Sequence, residues 1–167
     1  MNTFIKITKI ILNIITTIII VLGVAFIGLF CFGIQPYVVE SGSMQPTIET
    51  GSVCFVNKRA NYEDMQVGDI IAFKLDSGAF VTHRINAITN EGFETKGDAN
   101  KAVDSVITTK DNFIGKNVFS IPKTGFIVKK IQTTRGKIIL GTVIVVLLLG
   151  AILIGGPSKK AKHDKEE

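Results

Sequence analysis

Two hydroxyls flank a glycine in Glu40-Ser41-Gly42-Ser43-Met44-Gln45-Pro46-Thr47, the first stretch of the chain whose residue types suit covalent chemistry. Gly42 lets the backbone turn sharply and approach a ligand closely, so a hydroxyl and a backbone N–H can point the same way, as acyl transfer requires. The same residues also make an ordinary Ser-Gly-Ser loop closed by a proline turn. A second stretch, Val81-Thr82-His83-Arg84-Ile85, reads as a strand in which alternation sets Ala79, Val81, His83 and Ile85 on one face. A serine hydroxyl is a poor nucleophile until a base takes its proton, and an imidazole of reference pKa about 6.5 suits that work at neutral pH. The alternative is a histidine packed at the edge of a core. A third stretch, Thr95-Lys96-Gly97-Asp98-Ala99-Asn100, is followed by Asp104. A carboxylate accepting the second imidazole N–H would fix its tautomer. Asp98 and Asp104 both qualify, and Gly-Asp-Ala-Asn is equally a turn in which Asp98 bonds its own backbone, so spacing does not choose between them.

These residues need elements to hold them, and the composition says where those lie. Of 167 residues, 46% are hydrophobic and none is tryptophan, so a disordered chain is excluded. Cys31 and Cys54 are too few for a disulfide framework. No charge interrupts the chain between Lys9 and Glu40, and the run 10–34 is long enough to cross a bilayer as a helix and too long for the apolar core of a cleaved signal peptide. A second uncharged run lies between Lys137 and Lys159 and predicts a second span at 137–156. Lys6 and Lys9 precede the first span, and Lys159, Lys160, Lys162 and Lys165 follow the second. The positive-inside rule therefore places residues 1–9 and the basic tail 157–167 in the cytoplasm. That leaves 35–136 as an extracytoplasmic domain and predicts a multi-pass protein of the cell membrane. The second histidine, His163, then lies across the membrane from Ser43.

Between Glu40 and Lys137 there are 13 Lys and Arg against 11 Asp and Glu. The net charge of +5 therefore belongs mostly to the membrane flanks, in contact with lipid, and nucleic-acid binding is excluded on charge distribution. Roughly 100 residues suffice for one modest core. Short runs rich in β-formers at 52–58, 69–74, 79–86, 93–96 and 117–122, separated by Gly, Asn and Asp, predict a mostly β, antiparallel domain between the two helices. No metal-ligand spacing is visible, and neither a metal nor a cofactor is expected.

Taken in order, Ser41-Gly42-Ser43-Met44-Gln45-Pro46-Thr47, Gly68-Asp69-Ile70-Ile71-Ala72-Phe73 and Lys96-Gly97-Asp98-Ala99-Asn100 resemble three successive sequence boxes of the signal peptidase I family of membrane serine proteases. The resemblance covers about 37–104. Where the common bacterial enzymes carry a lysine base, Thr82-His83-Arg84-Ile85 resembles the serine–histidine branch of the endoplasmic reticulum, archaea and Gram-positive sporulation enzymes. It implies Ser43 as nucleophile, His83 as general base and Asp98 or Asp104 as the acidic partner, with Asp104 favoured and Asp98 kept as a site residue. Ser41, with the Ser43 backbone N–H, is implied in the oxyanion hole, and Met44 and Pro46 in the substrate-binding surroundings. The implied substrates are exported preproteins, cut after a small residue, with the secretion machinery as an associate. The rival reading is a non-enzymatic membrane-anchored β domain that binds a partner or assembles a surface structure.

Overall fold

The computed structural model describes residues 3–155. The first apolar run forms a helix, α1 (Thr3–Cys31), within which Ile7–Cys31 is long and apolar enough to cross a membrane. Phe32 N–H and Gly33 N–H close the last turn on the carbonyls of Gly28 and Phe30, at 3.0 and 2.9 Å, and Gly33 takes a φ of +81°. That left-handed residue stops the helix, because a side chain there would be strained. The helix thus ends at Cys31 rather than at 34, and Ile34 begins a strand.

Six strands follow: β1 (Ile34–Val38), β2 (Val53–Asn57), β3 (Ile70–Lys74), β4 (Phe80–Thr89), β5 (Gly92–Lys96) and β6 (Phe113–Ile121). They form one sheet in the order β1-β2-β6-β3-β4-β5, every neighbouring pair antiparallel. The five expected strands fall on β2 to β6. The sequence reading assigned no strand at 34–38, where Pro36 cannot donate to a ladder. The structure resolves this by making β1 an edge strand, where a proline is tolerated.

After β6 come α2 (Gly125–Gln132) and α3 (Thr134–Gly155). Eight residues carry only about two turns of period, too few to read as a helix from the sequence. The second apolar run is helical as α3, and the expected basic tail lies outside the described residues. By internal contacts, α1 as far as Ala25 groups with α3, while Phe26–Thr133 forms a unit of its own containing the sheet and α2.

Alternation along β3 explains the core. Ala72 joins Met44, Ile48, Cys54 and Val56 in one buried cluster, whereas its neighbours Ile71 and Phe73 join Met65, Ile85 and Phe93 in another. A central strand buried on both faces reads as a continuous apolar run, and Ile-Ile-Ala-Phe is that run. Phe73 is 1% exposed, so its replacement leaves a void the surrounding strands cannot fill. Phe73→Ala is expected to lower unfolding stability by about 3–5 kcal/mol. Val67→Ala, at an exposed position, should stay within about 0.5 kcal/mol. Thermal and denaturant unfolding of the detergent-solubilised chain compares the two.

Candidate active site

The Ser43 loop is fixed on the side that follows the serine by apolar burial. Met44 and Ile48 are each 2% exposed and plug into the cluster with Cys54, Val56 and Ala72. The Ile48 N–H closes on the Met44 carbonyl at 2.8 Å and the Gln45 N–H on the Gly42 carbonyl at 3.0 Å. Ser43 therefore sits on a tight turn whose following side chains are core. Its own carbonyl accepts the Ala99 N–H at 2.8 Å. A Cβ at Gly97 would stand 2.6 Å from that same oxygen, so only glycine lets the 97–100 turn come so close.

His83 lies on β4 opposite Ile71 of β3, and its ring meets Phe73 edge-on at 6.2 Å. It is 7% exposed, among apolar neighbours as the alternation predicts. Its Nε2 stands 2.9 Å from Ser43 Oγ and its Nδ1 2.6 Å from Asp104 Oδ2. An ionised carboxylate can only accept, so Nδ1 carries the proton and Nε2 is left to accept the Ser43 hydroxyl. With Ser43 donating to His83, Ser41 is the donor in the 3.1 Å contact between the two serine hydroxyls. Three segments distant in sequence thus form one hydrogen-bonded run.

Asp98 is held elsewhere. Arg84 donates to it through Nε at 2.9 Å and Nη2 at 2.7 Å, and through Nη1 to the Gly68 carbonyl at 2.8 Å. The Arg84 fork, aided by a Thr47 hydrogen bond, holds the Asp98 carboxyl below the usual carboxylate range against the opposing effect of partial burial. Alternation sends Arg84 to the face opposite its neighbour His83, which is why the two carboxylates receive different partners. The pair ties β4 to the 97–100 turn that grips the Ser43 carbonyl. Among the other expected site residues, Ser41 and Pro46 are exposed and Met44 is buried. The sequence reading gave no role to Arg84 or Thr95. Thr95 donates to Asp104 Oδ2 at 2.6 Å and is fully buried on β5. The available signal was a hydroxyl two residues from Phe93 on a strand face that must be buried.

Ser43 and His83 line a groove of about 710 Å³ whose walls include Tyr37, Val39, Phe80 and Val81. Although β1 and β4 are not neighbours in the sheet, the rings of Tyr37 and Phe80 approach to 5.5 Å, so the sheet curls until those strands flank the groove. Lys129 of α2 and Glu40 form an ion pair at 2.6 Å on the groove's lining, and Lys129 holds the Glu40 carboxyl below its ordinary value. Among the described residues no group of three or more His, Cys, Asp or Glu side chains is arranged to hold a metal ion. Cys54 is not a rival nucleophile, because burial pushes its thiol up to about 11.

Residues 11–122 match the family model described as signal peptidase, peptidase S26. The chain is 40% identical over 117 residues to signal peptidase I W of Bacillus subtilis (strain 168), covering 64% of this chain and 62% of that protein. It is 30% identical over 102 residues to the signal peptidase complex catalytic subunit SEC11 of Colletotrichum graminicola, covering 54% and 59%. The corresponding subunit of Pyricularia oryzae is 31% identical over 102 residues, again covering 54% and 59%. The chain thus spans about six-tenths of the length of the curated relatives it matches. The family model covers well over half of the sequence, from within α1 through β6, so the chain belongs to the signal peptidase family, peptidase S26.

Proposed function

We propose that this chain is a membrane-held serine endopeptidase that removes signal peptides from exported preproteins, cutting after a small residue. The observation that carries this reading is the run from Ser43 Oγ through His83 to Asp104, at 2.9 and 2.6 Å, on the lining of a groove. His83 takes the hydroxyl proton as Ser43 Oγ attacks the scissile carbonyl, and the carbonyl oxygen becomes an oxyanion received by the Ser41 hydroxyl and the Ser43 N–H. The imidazolium gives its proton to the leaving amine, which departs and leaves an acyl-enzyme. Water then attacks the ester with His83 again as base, and the returned proton restores Ser43. Asp104 orients the ring throughout. Met44, on the groove's lining, borders the substrate, and Asp98 acts one step back by fixing the turn that holds Ser43.

Membrane placement follows the same reading. The α1 span anchors the chain, α3 provides a second crossing, and the sheet lies on the extracytoplasmic side with lipid around both helices. Ser43 lies twelve residues past Cys31, which bounds their distance at about 40 Å even if fully extended. That keeps the nucleophile close to where signal peptides leave the bilayer, and beside the secretion machinery that delivers them. The similarity to signal peptidase I W supports the substrate class. A purely partner-binding β domain draws no support from any of these relatives.

Incubating the solubilised enzyme with a preprotein tests the assignment. Ser43→Ala and His83→Ala should each abolish cleavage, and Asp104→Asn should reduce kcat about 10³- to 10⁴-fold. Undiminished cleavage by Ser43→Ala or His83→Ala would reject the roles given to them.

Asp98 has a different expected signature. Its carboxyl sits below its unfolded value, so the stability it contributes is fully present above about pH 4 and is lost as pH falls through the lowered folded value. Asp98→Asn should therefore cost on the order of 2 kcal/mol at pH 7 and flatten the fall of stability below pH 4. Unfolding midpoints across pH 2–7 measure both effects, and an unchanged acid slope would remove Asp98 from this role.

A further inference from the structure

We infer that Thr95 is a positioning residue for the proposed reaction, holding the Asp104 carboxylate in the orientation that serves His83. The inference rests on the serine–histidine reading above. Thr95 lies on β5 opposite Ile85 of β4, and it is 0% exposed. Burying a hydroxyl in such a place is unfavourable unless it is bonded, and a valine would fill the same volume without that cost. The hydroxyl is explained by one contact: Thr95 Oγ1 stands 2.6 Å from Asp104 Oδ2. Because the ionised carboxylate only accepts, the threonine donates.

That oxygen is the one that receives His83 Nδ1, also at 2.6 Å. Two donors converging on Oδ2 use both of its lone pairs and fix the carboxylate about its side-chain torsions. The backbone adds a second grip on the same residue, since the Asp104 N–H donates to the Thr95 carbonyl at 2.8 Å. Asp104 itself lies outside every strand, on the stretch between β5 and β6. Its position would otherwise depend on a turn-rich loop, and Thr95 transfers to it the rigidity of the sheet. A carboxylate displaced by about 1 Å would let the imidazole tilt away from the serine, a misplacement worth up to about 100-fold in rate.

The test compares Thr95→Val, Thr95→Ser and Thr95→Ala in the full chain, with preprotein cleavage and the unfolding midpoint as readouts. Thr95→Val should lower kcat about 10- to 100-fold with KM unchanged. Thr95→Ser should stay within about threefold of the parent, because it keeps the donor. In the Asp104→Asn background Thr95→Val should add no further loss, since both changes break the same link. If Thr95→Val does not fold, the Ser and Ala variants decide the matter: both lack the methyl group, and only Ala lacks the hydroxyl. Equal turnover for those two, wild-type kcat in Thr95→Val, or an undiminished penalty in the Asp104→Asn background would each overturn the inference. Full cleavage by Ser43→Ala sinks the underlying reading instead. Inactive Ser43→Ala and Asp104→Asn alongside an unimpaired Thr95→Val would reject Thr95 alone.

Discussion

The imidazole of His83 must be held at both nitrogens at once, and most of the sheet's geometry can be read as a means to that end. A 2.9 Å contact on one side and a 2.6 Å contact on the other leave the ring little freedom. The two partners come from opposite directions in the chain. One arrives from the loop after β1, the other from the stretch after β5, and β4 carries the ring between them. Hydrogen bonds of this kind lose strength steeply with angle and distance, so the loops cannot be left to find their own positions. Each is fastened to the sheet by something ordinary: Met44 and Ile48 buried in a core cluster, the Ser43 carbonyl bonded to Ala99, Asp104 bonded to Thr95.

The charged residues divide along the same lines. Adjacent positions on β4 point to opposite faces, so His83 and Arg84 select different aspartates from one short segment. Asp104 goes to the imidazole and Asp98 to the guanidinium. The second pair is a clamp: its bidentate geometry fixes β4 against the turn that carries Gly97 and Ala99, and this turn holds the backbone of Ser43. A defect in either pair reaches the serine by a different path, one through the ring and one through the loop.

Much of this was legible in the sequence, and the reasons differ residue by residue. His83 stood out because the one other histidine, His163, was expected across the membrane and because a period-two pattern put His83 among apolar neighbours, whereas Ser43 stood out only through the resemblance of its Ser-Gly-Ser-Met stretch to a family box. The five strands from β2 to β6 were visible as β-branched and aromatic runs between turn residues. Spacing did not choose between Asp98 and Asp104, which only the resemblance tilted toward Asp104, because both lie in one turn-rich stretch and the decision depends on which of them Arg84 reaches. The alternation rule that separates His83 from Arg84 carried that information, but only once a partner for the arginine was sought. β1 escaped because Pro36 and the unbroken apolarity from α1 hide a strand start. Thr95 escaped because a lone threonine in a strand is usual, and only the tertiary approach of Asp104 gives its hydroxyl a purpose.

Under the serine chemistry proposed above, fastening the Ser43 loop this way has a bearing on inhibitor design. The backbone at the serine and just after it is already committed, by the Ala99 bond to its carbonyl and by Met44 burial. A compound that fits the groove lined by Tyr37 and Phe80 has little loop entropy to remove on binding, so its affinity is governed by its own stiffness and by the strength of its electrophile. Rigid, compact acylating scaffolds therefore suit this pocket better than long flexible peptides, whose freezing would consume most of what their extra contacts contribute.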